Sequence, residues 1–424
     1  MANPNRFVVA LVAINSPGYR SLAQRYLHEA LMHDPRLPEM WVTDLEFSTD
    51  VSPWWVAYQV LALDPAPDLV GIPVYCWNAR LAYDATRLIS RARPDLKIVL
   101  GGPEVGPIAE QVIGEREGVW AVVHREGERA LPGIVHSLVR GGDPEGVPGV
   151  SVRTERGVVR GPEGPAVDPL DALPSPYTDS HPPATDGSAY IETFRGCPHR
   201  CAYCYESRGT ERIRTFSWDR IRAEIDRVAS TPGMRSFSFI DSVFNLTDDR
   251  LNRLADIMEP HVARGVRLHT IEVDLERVDA AAAATLRRAG VVSVETGPQT
   301  TCEAALSATN RTFDPAAYRR GVEACRAEGI AVEADLIIGL PGDTVESVLE
   351  SMRFALSADP GVIQMSTLHV LPGTPLWDRA GEYGLTFDAE PPHEIISTSA
   401  IGFGELRQLE VFGTALSELY RART

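Results

Sequence analysis

Three cysteines that could bind a metal cluster lie within eight residues of one another. Cys197, Cys201 and Cys204 occur in the stretch GCPHRCAYCYE with C-x3-C-x2-C spacing. Glycine, proline and arginine surround them, whereas cysteines that merely pack as small apolar residues have apolar neighbours. Thiolates at this spacing indicate a site for a soft metal or a metal cluster.

The number of thiolates distinguishes a zinc site from an iron–sulfur cluster. Structural zinc usually has four ligands, in paired C-x2-C knuckles or in one knuckle with histidines. His199 lies inside the loop, but three cysteines and one histidine this close together would be an unusual zinc site. Electron-transfer clusters take four thiolates, so three thiolates on a four-iron cluster leave one iron open to a substrate. We therefore favour a 4Fe–4S cluster bound by Cys197, Cys201 and Cys204.

The cysteine motif resembles that of the radical S-adenosylmethionine superfamily, in which an aromatic residue precedes the last cysteine. In that family the open iron chelates S-adenosylmethionine, whose reductive cleavage gives a 5′-deoxyadenosyl radical that removes hydrogen from unreactive carbon. The later segments FIDSVFN, VETGPQ, DLIIGLPGDT and LHVLPGTPL resemble strand ends of the same family. The resemblance implies S-adenosylmethionine-binding residues at Tyr203, Asp241, Asn245, Glu295, Gln299, Asp335, Gly339 and Leu371.

The preceding region resembles the cobalamin-binding branch of this superfamily, the class B radical methyltransferases. GGPEVG and REGE match strand ends of that branch, and an Asp-x-His-x-x-Gly motif is lacking, which implies cobalamin bound base-off without a histidine ligand. VYCWN resembles the loop beneath the corrin in the carbapenem-biosynthesis methyltransferases, so Tyr75 or Trp77 is expected at the lower cobalt face. The cobalamin-binding residues implied are Asn15, Ser16, Tyr19, Tyr75, Trp77, Asn78, Gly101, Gly102, Glu104, Val105, Arg125, Glu126, Gly127 and Glu128.

Residues 1–140 contain the residues expected to bind cobalamin, and they predict a domain that would position them. The apolar runs FVVALVAI, MWVTDLEF, LVGIPVY, KIVLGG and GVWAVVH alternate with amphipathic stretches. Strands buried on both faces have such unbroken apolar character. The pattern predicts a doubly wound, flavodoxin- or Rossmann-like α/β domain with five parallel strands, whose ligand lies beyond the carboxyl ends of the strands.

The rest of the chain predicts a second α/β domain. Residues 141–187 contain a short hairpin and a proline-rich linker, and residues 188–385 contain six strand–helix units. Six units predict a partial (β/α)6 barrel, with the cysteine loop after its first strand, at the face where barrel enzymes perform chemistry. Residues 386–424 are expected to form a short helical C-terminal segment.

Composition and charge indicate which partners and which cellular compartment to expect. The chain has 424 residues and a formal net charge of −17, so it repels phosphate backbones and we expect no nucleic-acid partner. We expect no membrane span, because no run of about 18 apolar residues occurs. The segment MANPNRFVVALVAINSPGYR ends in a loop sequence and not in a signal-peptide cleavage site. The six cysteines do not form a disulfide framework, so we expect a cytoplasmic protein.

These features together predict a methyltransferase. The expected reaction is methylation of an unactivated sp3 carbon of a small metabolite, through the 5′-deoxyadenosyl radical and methylcobalamin, in natural-product biosynthesis. An external reductant such as flavodoxin or ferredoxin is expected. The alternatives are a cobalamin-dependent rearrangement or ring contraction, C-methylation of a peptide, and a non-enzymatic carrier.

Two further points follow from the sequence. A tRNA methylthiotransferase is disfavoured, because it would need three further cysteines in the first domain and only Cys76 lies there. No catalytic protein residue is assigned, since hydrogen abstraction needs no general base; Glu206, Arg208 and Glu272 lie near the cluster or near strand ends without an assigned role.

Overall fold

The chain forms two compact units. The computed structural model describes residues 6–206 and 212–423, so Arg208 lies outside the described residues. The units are Met1–Pro182 and Pro183–Thr424. Most of the segment predicted to be a linker therefore packs as part of the first unit.

The first unit alternates strands and helices along most of its length. Its elements are β1 (Val8–Asn15), α1 (Leu22–His33), β2 (Trp41–Ser48), α2 (Pro53–Leu61), β3 (Leu69–Pro73), α3 (Ala79–Ala92), β4 (Lys97–Gly101), α4 (Ala109–Glu115), β5 (Ala121–Val123), α5 (Gly127–Val139), β6 (Val150–Thr154) and β7 (Gly157–Arg160).

These strands form one sheet in the order β2-β1-β3-β4-β5-β6-β7. The first five strands are parallel, which confirms the predicted doubly wound α/β fold. The predicted hairpin, β6 and β7, adds to the same sheet in antiparallel orientation beside β5. Because β1, β3, β4 and β5 are parallel, the loops that follow them meet at one edge of the sheet.

The burial of β1 explains why its sequence is apolar without interruption. Val9 and Leu11 pack with α1 and α5 in one apolar cluster. Val12 and Ile14 point the other way and pack with α2, α3 and α4 in a second cluster. Side chains of a strand alternate between faces, so a strand with helices on both faces needs apolar residues at every position.

Two glycines allow close backbone packing at the carboxyl edge of this sheet. Gly102 has φ +108°, and a Cβ there would lie 2.5 Å from the carbonyl oxygen of Val74. A Cβ at Gly106 would lie 2.2 Å from the carbonyl oxygen of His124. The loop after β4 is therefore fixed between the loops after β3 and β5, and side chains larger than hydrogen are excluded there.

The second unit continues the alternation. Its elements are β8 (Tyr190–Ile191), β9 (Phe194–Arg195), β10 (Arg214–Thr215), α6 (Trp218–Ala229), β11 (Ser236–Phe239), α7 (Asp248–Ala263), β12 (Arg267–Leu268), β13 (Ile271–Glu272), α8 (Ala280–Arg288), β14 (Ser293–Gln299), α9 (Glu303–Ala308), α10 (Pro315–Ala327), β15 (Ala331–Ile338), α11 (Val345–Ala358), β16 (Val362–Thr367), α12 (Pro375–Asp378), β17 (Thr386–Phe387), β18 (Ile395–Ser397) and α13 (Phe403–Arg421).

The parallel strands of this unit confirm the predicted partial barrel. β8, β11 and β12 pair in parallel, and so do β13, β14, β15 and β16. The short strands β12 and β13 lie on one extended segment, and a parallel bridge joins Leu268 to Val291. The six barrel positions are thus β8, β11, the segment with β12 and β13, β14, β15 and β16.

The C-terminal segment is a two-stranded hairpin followed by one helix. β17 and β18 pair in antiparallel orientation. Gly413 brings α13 close to the barrel, since a Cβ there would lie 3.0 Å from the Cβ of Met365 and 3.3 Å from the Cδ1 of Ile338. Within the part of the chain that the structure describes, no helix combines the length and apolar character that crossing a membrane requires.

We predict that Gly106→Ala destabilises the protein, because the new methyl group would overlap the carbonyl group of His124. Overpacking of this kind costs about 1–3 kcal/mol, so the urea midpoint of unfolding, followed by circular dichroism, should fall. Gly114→Ala is the matched control: Gly114 lies in α4 with no heavy atom within 4 Å of its added Cβ, and alanine favours helix. A Gly106→Ala midpoint equal to that of Gly114→Ala would contradict the close packing.

Candidate functional site

The cysteine loop follows β9 and is held by contacts from distant segments. The backbone N–H of Ala202 donates to the carbonyl oxygen of Thr309 at 2.8 Å, and the N–H of Leu376 donates to the carbonyl oxygen of Ala202 at 3.1 Å. The Asn310 side-chain amide donates to the carbonyl oxygen of Arg200 at 3.0 Å. These bonds fix a loop that has no regular secondary structure.

The three cysteines fit a metal cluster. Their thiols are free of disulfides, with Cys201 buried and Cys197 and Cys204 half-buried. Burial raises the pKa of the Cys197 thiol, and burial also raises the pKa of Cys204 to about 12. Three thiols from one loop that face a single cavity are the donor set that an iron–sulfur cluster uses.

A cavity of about 890 Å³ joins these cysteines to four of the residues predicted to bind S-adenosylmethionine. Those four are Tyr203, Glu295, Gln299 and Asp335. The other walls come from the loops and segments around Ser242, Glu272–Arg277, Thr296–Pro298 and Asn310–Phe313. The carboxyl ends of several barrel strands therefore contribute to one site, as the barrel fold predicts.

Arg311 is a cavity residue that the sequence did not identify. Its Nη1 lies 3.3 Å from the sulfur of Cys201 and 3.1 Å from the hydroxyl of Tyr203, and its Nη2 donates to the carbonyl oxygen of Gly297 at 2.6 Å. Its Nε is buried without a hydrogen-bond partner. Burial alone would lower the pKa of Arg311, but Tyr203 and Cys201 raise it, so the guanidinium stays charged.

Three acidic residues, Glu272, Glu295 and Asp335, also line this cavity and oppose the charge of Arg311. In the register of the strands Glu272 stands beside Glu295, and Asp335 interacts with Glu295 as well. Burial, followed by the charge of Glu295, raises the pKa of Asp335 to about 9. The Oδ1 of Asp335 and the Oε1 of Gln299 are buried without hydrogen-bond partners. A cationic ligand with N–H donors would satisfy these atoms.

The other four residues predicted to bind S-adenosylmethionine lie in contacts within the fold. Asp241 accepts a hydrogen bond from the backbone N–H of Thr193 at 2.7 Å and pairs with Arg250 at 3.3 Å. Asn245 exchanges two hydrogen bonds of 2.9 Å with the backbone of Asp274, which lines the cavity.

Gly339 and Leu371 also serve the fold in this structure. A Cβ at Gly339 would lie 3.0 Å from the side chain of Ile395. The carbonyl oxygen of Leu371 accepts a hydrogen bond from the hydroxyl of Thr374 at 2.7 Å. Gly339 thus packs against the C-terminal hairpin, and Leu371 helps to start α12.

In the first unit the structure brings Asn15, Tyr75, Trp77 and Asn78 to one edge of the sheet. The rings of Tyr75 and Trp77 stack at 4.5 Å with an interplanar angle of 6°, and Trp77 is 56% exposed. Asn78 is buried: its Oδ1 accepts from the N–H of Tyr75 at 2.8 Å and its Nδ2 donates to the carbonyl oxygen of Ile14 at 2.9 Å. Asn78 thereby orients the loop that carries the aromatic pair.

The remaining residues predicted to bind cobalamin divide into exposed and buried groups. Ser16 and Tyr19 are exposed on the loop after β1, and the Nδ2 of Asn15 is buried without a hydrogen-bond partner. Gly101 ends β4, and Glu104 and Val105 are buried in the loop that follows, which begins at Gly102. The last four residues lie at the start of α5 and make contacts within the first unit. Arg125 pairs with Glu163, and the carboxylate of Glu126 accepts a hydrogen bond from the backbone N–H of Val167. Gly127 and Glu128 are the first two residues of the helix.

Comparison with known proteins gives independent evidence on both units. A model of the radical SAM superfamily matches residues 191–355. An uncharacterised methyltransferase of Pyrococcus horikoshii is 27% identical over 356 residues, which cover 82% of this chain and 75% of that protein. The cobalamin-dependent radical SAM methyltransferase TokK of Streptomyces tokunonensis is 27% identical over 344 residues, which cover 75% of this chain and 50% of TokK. The match thus spans only half the length of TokK.

Two solved structures share the fold over more than nine-tenths of this chain. A methyltransferase, TsrM from Kitasatospora setae, with cobalamin and a 4Fe–4S cluster bound, superposes with a TM-score of 0.73 at 22% identity, covering 91% of this chain and 78% of TsrM. The cobalamin-dependent S-adenosylmethionine radical enzyme OxsB superposes with a TM-score of 0.72 at 16% identity, covering 96% of this chain and 66% of OxsB. At these identities the likeness establishes the fold.

We predict that Asp335→Asn stabilises the ligand-free protein increasingly as the pH rises from 5 towards 9. The unfolded carboxyl group titrates near pH 3.9, whereas the folded pKa is about 9. Between these values the folded state holds a proton that the unfolded state has released, so the wild type loses stability with rising pH. The asparagine variant has no such proton.

Thermal midpoints measured over this pH range check the prediction. Asp249→Asn is the control, because Asp249 is 75% exposed on α7 and pairs with Arg253; its difference from the wild type should stay small and flat with pH. A flat difference for Asp335→Asn too would show that its carboxyl group titrates normally.

Proposed function

We propose that the chain, as a radical S-adenosylmethionine enzyme of the cobalamin-dependent methyltransferase group, methylates an unactivated sp3 carbon of a small metabolite. The proposal includes a role in natural-product biosynthesis. It rests on one observation above others: a single cavity joins the three cysteines to the acidic and amide side chains at the ends of β13, β14 and β15.

The residues present fit a 4Fe–4S cluster and S-adenosylmethionine. Cys197, Cys201 and Cys204 would bind the cluster, since none of the three is in a disulfide and all three line the cavity. When bound, the cluster and S-adenosylmethionine would supply the electron and the 5′-deoxyadenosyl radical, and methylcobalamin would supply the methyl group.

The side chains of the cavity would orient the methionyl part of S-adenosylmethionine. The carboxylate of Glu295 and the buried oxygens of Gln299 and Asp335 would accept hydrogen bonds from its ammonium group. Arg311, with a charged planar group and an unpartnered Nε, would bind its carboxylate. Both contacts pair opposite charges inside a partly water-excluded site, where such interactions are strong.

In the first unit, we place cobalamin at the carboxyl edge of the parallel sheet. The exposed, stacked pair of Tyr75 and Trp77 offers a flat apolar surface that would cover the lower cobalt face, and neither ring can donate as a histidine does. The buried amide of Asn15 and the backbone-lined loop at Gly101 and Gly102 would contact the corrin amides. Such a site would hold cobalamin base-off, and electron paramagnetic resonance of the cob(II) state should then show no nitrogen coupling from a lower ligand.

The proposed partners are a small-molecule substrate and an external reductant of the flavodoxin or ferredoxin type. A small-molecule substrate is supported by the fold neighbour TsrM, which has been solved with a tryptophan substrate bound.

The proposal predicts transfer of a labelled methyl group. Anaerobic, reduced protein loaded with cluster and cobalamin is incubated with methyl-labelled S-adenosylmethionine and candidate small metabolites, and products are read by mass spectrometry. We expect label on a carbon of the product and formation of 5′-deoxyadenosine, both lost in Cys201→Ala. Deoxyadenosine with a rearranged, unlabelled product would replace methyl transfer by rearrangement or ring contraction, and label on peptides alone would overturn the small-metabolite assignment.

The role of Arg311 gives a second prediction. Arg311→Met should weaken S-adenosylmethionine binding to the cluster-loaded protein by roughly 10- to 150-fold, because a hydrogen bond to a charged group contributes about 1.5–3 kcal/mol. Arg311→Lys should recover part of this loss. Isothermal titration calorimetry measures the affinity, and iron content shows whether the cluster remains.

Arg277→Met is the matched control. Arg277 also lines the cavity, but its Nη1 donates to the carbonyl oxygen of Leu246 at 3.0 Å, so its loss should leave the affinity close to the wild-type value. Equal affinities for Arg311→Met and Arg277→Met, with iron retained in both, would remove Arg311 from the binding site.

A further inference from the structure

A cluster of two histidines and two carboxylates lies in the first unit, away from the sheet edge assigned to cobalamin. His28 lies on α1, Asp44 lies on β2, and His181 lies near the end of the unit. The Nδ1 of His28 and the Nε2 of His181 lie 3.0 Å and 3.3 Å from the same carboxylate oxygen, Oδ2 of Asp44. All three donor atoms lie within 4.8 Å of one another.

The contact between His28 and Asp44 is close but is not a hydrogen bond. The side chain of His28 is only 10% exposed, and its Nδ1 has no hydrogen-bond partner although the Asp44 oxygen is 3.0 Å away. The Oδ1 of Asp44 is likewise buried without a hydrogen-bond partner. Buried polar atoms are almost always satisfied, so the cluster lacks something that both side chains could bind.

A metal ion explains the distances. Zinc lies about 2.0–2.1 Å from imidazole nitrogen and from carboxylate oxygen. Two such ligands are then about 3.0 Å apart if they meet the ion at a right angle, and about 3.4 Å apart at a tetrahedral angle. The separations of 3.0 Å and 3.3 Å fall in this range. When both atoms bind one ion, the Oδ2 of Asp44 does not lie along the lone pair of the His28 Nδ1. This explains why the two atoms are 3.0 Å apart but do not form a hydrogen bond.

Glu29 fixes the histidine that completes the site. The Nδ1 of His181 lies 3.0 Å from the Oε1 of Glu29, whose side chain is only 4% exposed. If Nδ1 carries the proton that this hydrogen bond needs, Nε2 presents its lone pair to the carboxylate of Asp44. A cation between them removes that repulsion. A carboxylate that orients a histidine from behind is the usual outer partner of a metal-bound imidazole.

We propose that His28, Asp44 and His181 bind a divalent transition-metal ion of the zinc type, with Glu29 as the orienting carboxylate. Imidazole and carboxylate ligands suit this class of ion, and the two carboxylates balance its charge. The ion fastens the segment around residue 181 to α1 and β2. Arg25 supports the same attachment, since its Nη1 donates to the carbonyl oxygens of His181 and Pro182 at 3.2 Å each. With three protein ligands, the fourth position of the ion would be filled by water, and the site is independent of the methyl-transfer proposal.

The test uses the full chain with its iron–sulfur cluster loaded, so that the cysteines are occupied. Zinc chloride is the probe; after desalting, zinc per chain is measured by mass spectrometry and its ligands by X-ray absorption. We expect about one zinc per chain with nitrogen and oxygen ligands only, together with a higher thermal midpoint when zinc is present. His181→Gln and Asp44→Asn should bind none above background and should show no zinc-dependent midpoint.

Two further variants sharpen the result. His269→Gln is the control, because His269 is an exposed histidine of the second unit; it should bind zinc as the wild type does. Glu29→Gln keeps an acceptor for His181 and should weaken zinc binding by about 10- to 100-fold. Wild-type protein that retains no more zinc than His181→Gln, or that binds zinc through sulfur ligands, would overturn the site.

Discussion

The thiols of Cys197, Cys201 and Cys204 can act together only if one loop holds them at the same cavity wall. That loop has no helix or strand of its own, so its shape depends on hydrogen bonds from residues about 110–175 positions later in the chain, at Thr309, Asn310 and Leu376. Unsatisfied backbone groups in a partly buried loop are costly, and these bonds satisfy them. The connection from α9 to α10 is therefore as much a part of the site as the cysteine motif itself.

The same connection carries Arg311, which places a permanent positive charge against Cys201 and Tyr203. Across the barrel ends, Glu272, Glu295 and Asp335 lie close together, and burial followed by the charge of Glu295 raises the pKa of Glu272 to about 8 and that of Asp335 to about 9. A cavity with one cation near the thiols and several carboxylates beyond them is complementary to a zwitterion that has both an ammonium and a carboxylate group. Proteins retain such unfavourable arrangements mainly where a ligand offsets them.

The sequence predicted the fold well where burial imposes a regular pattern, and less well where contacts join distant segments. All five apolar runs of the first unit became strands. Four of them, β1, β3, β4 and β5, are buried, whereas β2 lies at the sheet edge and is half-buried. The attachment of the β6–β7 hairpin to β5 was not predicted, since a local alternation of residues does not say which strand it will pair with. Asp241 and Asn245 matched family segments, and the structure shows them in contacts of the fold. Arg311 and the His28, Asp44 and His181 cluster escaped notice because no short motif joins their members.

The two ligand-binding sites that we propose differ in polarity, and the two ligands explain the difference. The cavity of the second unit is lined by charged groups that match a small zwitterion. The edge of the first unit instead has glycines that allow close backbone contacts and an exposed aromatic pair, Tyr75 and Trp77. Exposed stacked aromatics gain stability when a large flat ligand covers them, and a corrin ring is such a ligand. The buried amide of Asn78 holds Tyr75 in place. It therefore keeps the aromatic pair in its binding arrangement before the ligand binds, which lowers the entropy cost of binding.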